Sequence, residues 1–283
     1  MAILHRQGLI GGTVMDAAAP TLRVIARHGA GVDGIDLAAA EARGLTVTRA
    51  AGANARSVAE HAFTLLLACL KDLPSVHEGM RNGLWEKTSR MTRDVAGVTL
   101  GLVGYGAIGS KVARYADAFG MRVLAFDPLL PAGPLPGPGE RVASLRALLP
   151  HAQVLSLHCP LDATTRGSIG AAELALLPQG AILIHTARGG IVDEAALLAA
   201  LESGQVAWAG VDVFSVEPLA AENPLRTHPR VIPTPHLAAN TPKGAVGMAT
   251  GAAESIIAIL AGRLPALEGA MVVPGRFAAA VAA

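Results

Sequence analysis

Three polar side chains stand beyond apolar runs that read as strands. Arg188 follows Ile184-His185-Thr186-Ala187, Glu217 follows Val211-Asp212-Val213-Phe214-Ser215-Val216, and His236 follows Ile232-Pro233-Thr234-Pro235. A guanidinium is a rigid fork of donors that can hold a carboxylate and polarise an adjacent carbonyl, while its pKa is too high for proton exchange near neutrality. An imidazole can transfer a proton near neutral pH, and a neighbouring carboxylate can hold its orientation and favour its protonated form. Together Arg188, His236 and Glu217 supply an anchor for a carboxylate, a proton for a new alkoxide and control of that proton. Hydride addition to a 2-keto acid needs these three things. Taken singly each is ordinary: an arginine after a strand is most often a surface or salt-bridge residue, and a histidine between prolines is most often structural. Their joint placement beyond strands of one sheet is what points to a site.

A hydride carrier has its own signature upstream. Gly104-Tyr105-Gly106-Ala107-Ile108-Gly109 follows the apolar run Val98-Thr99-Leu100-Gly101-Leu102-Val103 and precedes a helix-like segment at 110–119. Strand, tight glycine turn and helix bring a dinucleotide pyrophosphate onto amide donors at a helix N-terminus. Val123-Leu124-Ala125-Phe126 reads as the next strand, and Asp127 directly after it can accept from both ribose hydroxyls of an adenosine. An unphosphorylated ribose suits that carboxylate, whereas a 2′-phosphate would meet like charge, so the expected cofactor is NAD rather than NADP.

These groups need a sheet to carry them. Nearly all-apolar strands at 154–158, 181–185, 207–213 and 231–233 alternate with helical stretches at 144–149, 171–177 and 194–203, with a Pro- and Gly-rich loop at 128–139. Such strands call for a parallel sheet covered on both faces, with functional groups beyond the strand C-termini. Before residue 88, strand-like 22–26 and 45–48 alternate with helical 37–43 and a long apolar helix at 57–70, implying a smaller domain. A helix ends near Asn82-Gly83-Leu84-Trp85, and polar 87–94 reads as the crossing between domains. The expected fold is α/β, a doubly wound parallel dinucleotide-binding sheet at 89–261 with a second, smaller α/β domain at 1–88 completed by 262–283. The last apolar helix, about 244–260, can cross back toward that first domain, and 278–283 is expected to fray.

The 283 residues, 52% hydrophobic, supply material for two cores. A net charge of +1 without a concentrated basic stripe gives no reason to expect nucleic-acid binding. Only two cysteines, Cys69 and Cys159, are present and not in a CxxC pair, so no disulfide framework is expected and a cytoplasmic setting follows. No metal cluster stands out. No signal-like segment opens the chain, and charges and glycines interrupt later candidates for a membrane span.

The motifs together resemble the D-isomer-specific 2-hydroxyacid dehydrogenase family. The matching segments are GLVGYGAIG at 101–109, HCPLDATTRGSI at 158–169, TARGGIVDEAAL at 186–197, AGVDVFSVEP at 209–218 and TPHLAANT at 234–241, with RHGAGVDGIDL at 27–37 and GANARSVAEH at 52–61 in the first domain. The resemblance implies an NAD-dependent oxidoreductase interconverting a small D-2-hydroxy acid and its 2-keto acid. It implies Arg188 as substrate clamp, His236 as acid/base and Glu217 as its partner, and usually a homodimer built through the larger domains. Gly104, Gly106 and Gly109 would form the pyrophosphate turn with the Ala107 and Ile108 amides near it, and Asp127 would bind the ribose. Cys159, Pro160 and Thr165 would lie along the adenosine side; Thr186, Ala187, Arg188, Asp212 and His236 would lie on the nicotinamide side, with Asp212 accepting from the carboxamide. Cys159 is expected to pack rather than react. Ala30 and Gly31 could offer amides to the substrate carboxylate, with Asn54 shaping the wall; a strand-to-helix turn alone is the other reading of such glycines. His5, Arg6 and Arg27 do not form a dedicated phosphate cluster, which favours an unphosphorylated substrate. Relatives commonly carry further β and α elements before the strand near residue 3, so the smaller, flavodoxin-like domain is expected to be shortened at its N-terminus. The family also implies an alternative, an NAD-responsive regulatory binding protein with weak or absent dehydrogenase activity.

Overall fold

A computed structural model describes residues 1–276; the expectation for 278–283 lies outside them. The chain forms two units, Val58–Ala238 and a discontinuous one made of Met1–Ser57 with the chain from Ala239 onward.

The smaller unit begins β1 (Ala2–His5), α1 (Gly12–Ala17), β2 (Val24–Arg27), α2 (Leu37–Ala42), β3 (Thr46–Arg49). Asp36 caps α2 by accepting from the Ala39 amide at 2.9 Å, satisfying one of the donors a helix start leaves open. The three strands pair in parallel in the order β1-β2-β3, and Met15, Leu22, Ile25, Ile35, Leu45 and Val47 close the core beside them.

The chain then runs through α3 (Ala55–Leu70) and α4 (Leu73–Arg81) into β4 (Thr99–Val103), α5 (Gly109–Ala118), β5 (Arg122–Phe126), β6 (Glu140–Arg141), α6 (Leu145–Leu148), β7 (Val154–Leu157), α7 (Ala171–Leu176), β8 (Ala181–His185), α8 (Glu194–Glu202), β9 (Val206–Val211) and β10 (Val231–Pro233). Seven parallel strands take the order β10-β9-β8-β7-β4-β5-β6. Strands β7 and β8 are buried at every residue, as a sheet covered on both faces requires. Chain order reverses between β5 and β7 on either side of β4, the place where an open α/β sheet leaves a crevice beyond its carboxyl ends.

Returning to the smaller unit, the chain adds α9 (Pro242–Leu260) and β11 (Met271–Val273), which pairs antiparallel with β3. Helix α9 is long and apolar enough to cross a membrane by length and composition, an exception to the expectation that charges and glycines interrupt every candidate. It packs on β2 and β3, with Met248, Ala252 and Ile259 buried.

The domain boundaries expected at 88/89 and 261/262 need correction. Helix α3 buries Ala59, Ala62, Phe63 and Leu66 with Leu100, Leu102, Ile182 and Ile184 of the seven-stranded sheet, so from Val58 on it belongs to the larger unit. The polar stretch at 87–94 is not a crossing: Arg93 N donates to Leu70 O at 3.2 Å, Lys71 Nζ donates to Arg93 O at 2.7 Å, and Arg90 pairs with Asp72, all within the larger unit. Helix α9 belongs to the smaller unit.

Candidate active site

Each glycine of the turn after β4 has a distinct steric reason. Gly104 has φ +93°, and a Cβ there would stand 2.7 Å from His158 O and 2.9 Å from Cys159 N. A Cβ on Gly109, the first residue of α5, would stand 2.1 Å from Gly104 O, so any side chain would open the turn. Gly106 meets nothing within 4 Å, leaving a surface of bare backbone that a pyrophosphate can approach. Ala107 and Ile108 complete the turn ahead of α5. At the end of β5, Asp127 Oδ2 accepts from Tyr105 N at 2.8 Å and Oδ1 from Leu129 N at 2.9 Å, fixing the carboxylate on the glycine turn. Each oxygen keeps a second lone pair for a ribose hydroxyl.

Cys159 joins this group. Burial, and then the charges of Asp162 and Asp127, push its thiol up to about 11, so it packs and does not react. Thr165 closes the loop beyond β7: its hydroxyl donates to Pro160 O at 2.7 Å and accepts from Asp162 N at 2.9 Å. At the end of β8, buried Thr186 precedes Ala187, and its hydroxyl has no hydrogen-bond partner among the described residues. That orphaned hydroxyl, the bare glycine turn and the half-buried carboxylate fit a dinucleotide laid along the strand ends.

The polar constellation lies within the same unit. His236 Nδ1 lies 2.8 Å from Glu217 Oε2, and Glu217 Oε1 accepts from Phe214 N at 3.0 Å. Burial acts to raise the Glu217 carboxyl, but the bonds from His236 and Phe214 and the charges of His236 and Arg188 outweigh it, holding the group below the usual glutamate range. Arg188 Nη1 donates to Ala187 O at 2.7 Å. The turn that carries Arg188 is pressed against the segment leading to Glu217: a Cβ on Gly189 would lie 1.8 Å from Phe214 O. Only glycine permits that approach, a requirement not apparent in the residue spacing.

His236 adopts φ +50°, a left-handed conformation costing a side-chain-bearing residue about 1 kcal/mol. Its amide donates to Asp212 O at 2.8 Å and to Thr234 O at 3.0 Å. Asp212 is fully buried; Oδ1 accepts from Thr234 Oγ1 at 2.6 Å and Leu237 N at 3.0 Å, and Oδ2 from Ala238 N at 3.0 Å. Its carboxylate thus holds the loop that presents His236, while Oδ2, with one donor, keeps a second lone pair for the carboxamide expected from the sequence. His61 of α3 also reaches this group, with Nε2 3.1 Å from Thr234 Oγ1. Neither Thr234 nor His61 was expected from the sequence. The clue available for Thr234 is a hydroxyl two residues before His236; His61 is remote in sequence and has none.

Ala30, Gly31 and Asn54 lie in the smaller unit, the first two beyond β2 and the third just before α3. Arg27 donates to Gly31 O at 2.8 Å, His28 O at 2.8 Å and Arg6 O at 2.5 Å, so its guanidinium organises this loop.

Comparison with known proteins matches residues 63–238 to the family described as D-isomer specific 2-hydroxyacid dehydrogenase, NAD binding domain. A chloroplastic D-3-phosphoglycerate dehydrogenase of Arabidopsis thaliana is 37% identical over 94% of this chain and 45% of its own length. A hydroxypyruvate reductase of Thermotoga maritima is 41% identical over 79% of this chain and 73% of its own. The crystal structure of a D-lactate dehydrogenase from Aquifex aeolicus, complexed with NAD and lactic acid, is 31% identical, with TM-score 0.84, covering 96% of this chain and 86% of that one. The chain spans about half the length of the phosphoglycerate dehydrogenases it matches.

Proposed function

Because this chain belongs to the D-isomer specific 2-hydroxyacid dehydrogenase family and carries its NAD-binding domain, we propose that it interconverts a small D-2-hydroxy acid and its 2-keto acid with NAD. The observation that carries this reading is the His236–Glu217 pair, 2.8 Å apart, with the charge of Arg188 acting on the same carboxylate. Bound NADH supplies the hydride to C2 of the keto acid. Arg188 holds the substrate carboxylate and draws electron density toward the carbonyl oxygen. Glu217 occupies His236 Nδ1, which leaves Nε2 to deliver the proton to that oxygen; in the oxidative direction neutral Nε2 takes it back. Gly104, Gly106, Ala107, Ile108, Gly109, Asp127, Cys159, Pro160, Thr165, Thr186 and Ala187 form the cofactor side. Ala30, Gly31 and Asn54 are proposed as further substrate-binding residues.

The test is the initial rate of NADH oxidation across glyoxylate, hydroxypyruvate, pyruvate, tartronate semialdehyde and 3-phosphohydroxypyruvate. Turnover should be strongly reduced in His236→Ala while NADH binding persists, and wild-type rates in that variant would overturn the assignment. Arg27 is engaged with main-chain carbonyls, which supports an unphosphorylated substrate. A catalytic efficiency for the phosphorylated acid roughly tenfold above every other compound, about 1.4 kcal/mol of discrimination, would reverse that preference.

A homodimer is part of the same reading. Leu73, Met80, Leu84, Trp85 and Met91 cluster in sequence on α4 and the chain after it and are 54–94% exposed, an apolar exposure suited to a second copy of the chain. Light scattering should give twice the chain mass for the wild type and a monomer for Trp85→Asp; a monomeric wild type would refute it. Two unpaired cysteines support a cytoplasmic setting.

A further inference from the structure

We infer that Thr234 and His61 are positioning residues: a hydrogen-bond relay from His61 through the Thr234 hydroxyl to Asp212 locks the turn that holds His236 on Glu217. The inference rests on the proposed role of His236, and the relay itself follows from proton counting. Thr234 has one hydroxyl proton, and it goes to Asp212 Oδ1 at 2.6 Å. Toward His61 Nε2, 3.1 Å away, the same oxygen must therefore accept, which places a proton on His61 Nε2. His61 stands 3.6 Å from Asp212 Oδ1, too far for a direct hydrogen bond, so the hydroxyl carries the coupling. The His61 side chain is 18% exposed and that of Asp212 1%, so water competes little with the relay.

The relay bears on His236 because of where the next amides go. Pro235 has none. Thr234 N donates to Val211 O at 2.9 Å, His236 N to Asp212 O, Leu237 N to Asp212 Oδ1 and Ala238 N to Asp212 Oδ2. Every amide that segment 234–238 possesses, except the one shared with Thr234 O, is thus given wholly to residues 211 and 212. A left-handed backbone at a side-chain-bearing residue persists only where its surroundings over-determine it. The Thr234 hydroxyl is the one side-chain tie from this segment to the Asp212 carboxylate. Without it, Asp212 Oδ1 keeps a single donor, the Leu237 amide, and the turn loses its side-chain tie to that carboxylate. His236 can then relax out of its left-handed conformation and off Glu217.

The test compares Thr234→Val, which keeps the shape and removes the hydroxyl, with Thr234→Ser, which restores it, and His61→Leu. Three readouts are taken on the full chain: thermal unfolding, the NMR signals of the His236 ring, and kcat separately from KM and the NADH dissociation constant. Thr234→Val should displace the His236 ring signals and lower kcat at least roughly tenfold while NADH affinity stays within about twofold. Thr234→Ser should match the wild type, and His61→Leu should move the same readouts in the same direction by less. A folded Thr234→Val protein with wild-type ring signals and kcat would overturn the inference, as would equal losses in the Val and Ser variants. If Thr234→Val fails to fold, His61→Leu decides alone, unchanged His236 signals refuting the relay. If the wild type reduces none of the keto acids, the functional reading fails, while the ring signals still decide the relay.

Discussion

Acidifying the protein from about pH 7 to about pH 5 should remove a large part of the larger unit's stability, because two imidazoles at the ends of neighbouring strands are kept neutral by the fold. Burial pushes His158 down to about 3, helped by the charge of His185, and pushes His185 itself down to about 4 with partial relief from the Arg188 main chain. His158 as a residue is partly exposed, but its Nδ1 is sealed from solvent and its Nε2 lies 2.9 Å from Ser156 Oγ. Both ring nitrogens of His185 are buried without a partner meeting hydrogen-bond geometry. In the unfolded chain each ring titrates near 6.5. Between that value and the folded ones the unfolded state binds more protons. The stability from keeping these rings neutral is therefore fully present above about 6.5 and is lost as pH falls toward 4 and then 3. Integrated from about pH 7 to about pH 5, each group costs about 2 kcal/mol and the pair about 4 kcal/mol, a large share of a typical 5–15 kcal/mol. Urea unfolding at several pH values, followed by fluorescence of buried Trp208, measures the loss. Comparison with His185→Leu removes the contribution of the carboxylates, which are common to both proteins. At neutral pH the variant should be as stable as the wild type or more so, because an unpartnered buried polar ring is replaced by an apolar group. Its stability should fall about 2 kcal/mol less over the same interval. Parallel pH curves for the two proteins would refute the argument.

Gly189→Ala forces a Cβ to within 1.8 Å of Phe214 O, so the segment leading to Glu217 must shift; we expect a loss of about 1–3 kcal/mol in stability and of most turnover, and wild-type values for both would contradict the packing argument. Asp127→Ser removes the carboxylate shared by the Tyr105 and Leu129 amides. Fluorescence titration should show weaker NADH binding and a smaller preference for NADH over NADPH, and an unchanged ratio would dismiss Asp127 as the ribose acceptor. The Cys159 thiol, pushed up to about 11, has a thiolate fraction near neutrality on the order of one in ten thousand, so iodoacetamide should label it far more slowly in the folded protein than in urea. Equal rates would show that the thiol is not held protonated.

What was legible in the sequence depended on how local the cause was. Strands β7, β8 and β9 announced themselves because a strand covered on both faces must be an uninterrupted apolar run, and Arg188, Glu217 and His236 stood out as polar groups where such runs stop. The glycine turn was legible from its spacing between an apolar strand and a helix, although only Gly109 answers an atom of the turn itself, Gly104 facing His158 and Cys159 and Gly106 facing open space. The domain boundary was not legible: an apolar helix such as α3 or α9 looks alike whichever sheet it covers, and only packing assigns it. Helix α1, six residues long, the two-residue β6 and the three-residue β11 are too short for periodicity to declare them. Thr234, His61 and Gly189 act through contacts with residues far away in the chain, and their identities carry no mark of those partners. Asp212 was named through the family resemblance, and nothing local marked that its three carboxylate bonds reach residues more than twenty positions later.

The closing of the smaller sheet by β11 sets an order of events during synthesis. The seven-stranded sheet is encoded without interruption from Val58 to Ala238, so all its strands have been synthesised before α9 is made. The smaller sheet waits for β11: the Thr46 hydroxyl finds its acceptor, Pro274 O, 228 residues later. Until then β3 presents a bare edge, able to pair with any extended segment nearby. Loop closure over that distance is entropically costly in an open chain, but an already folded larger unit spans most of the gap as a compact body. A nascent chain stalled before residue 271 would therefore hold a finished larger sheet beside an unfinished smaller one, and the exposed edge of β3 marks where such a chain would aggregate or be recognised by a chaperone.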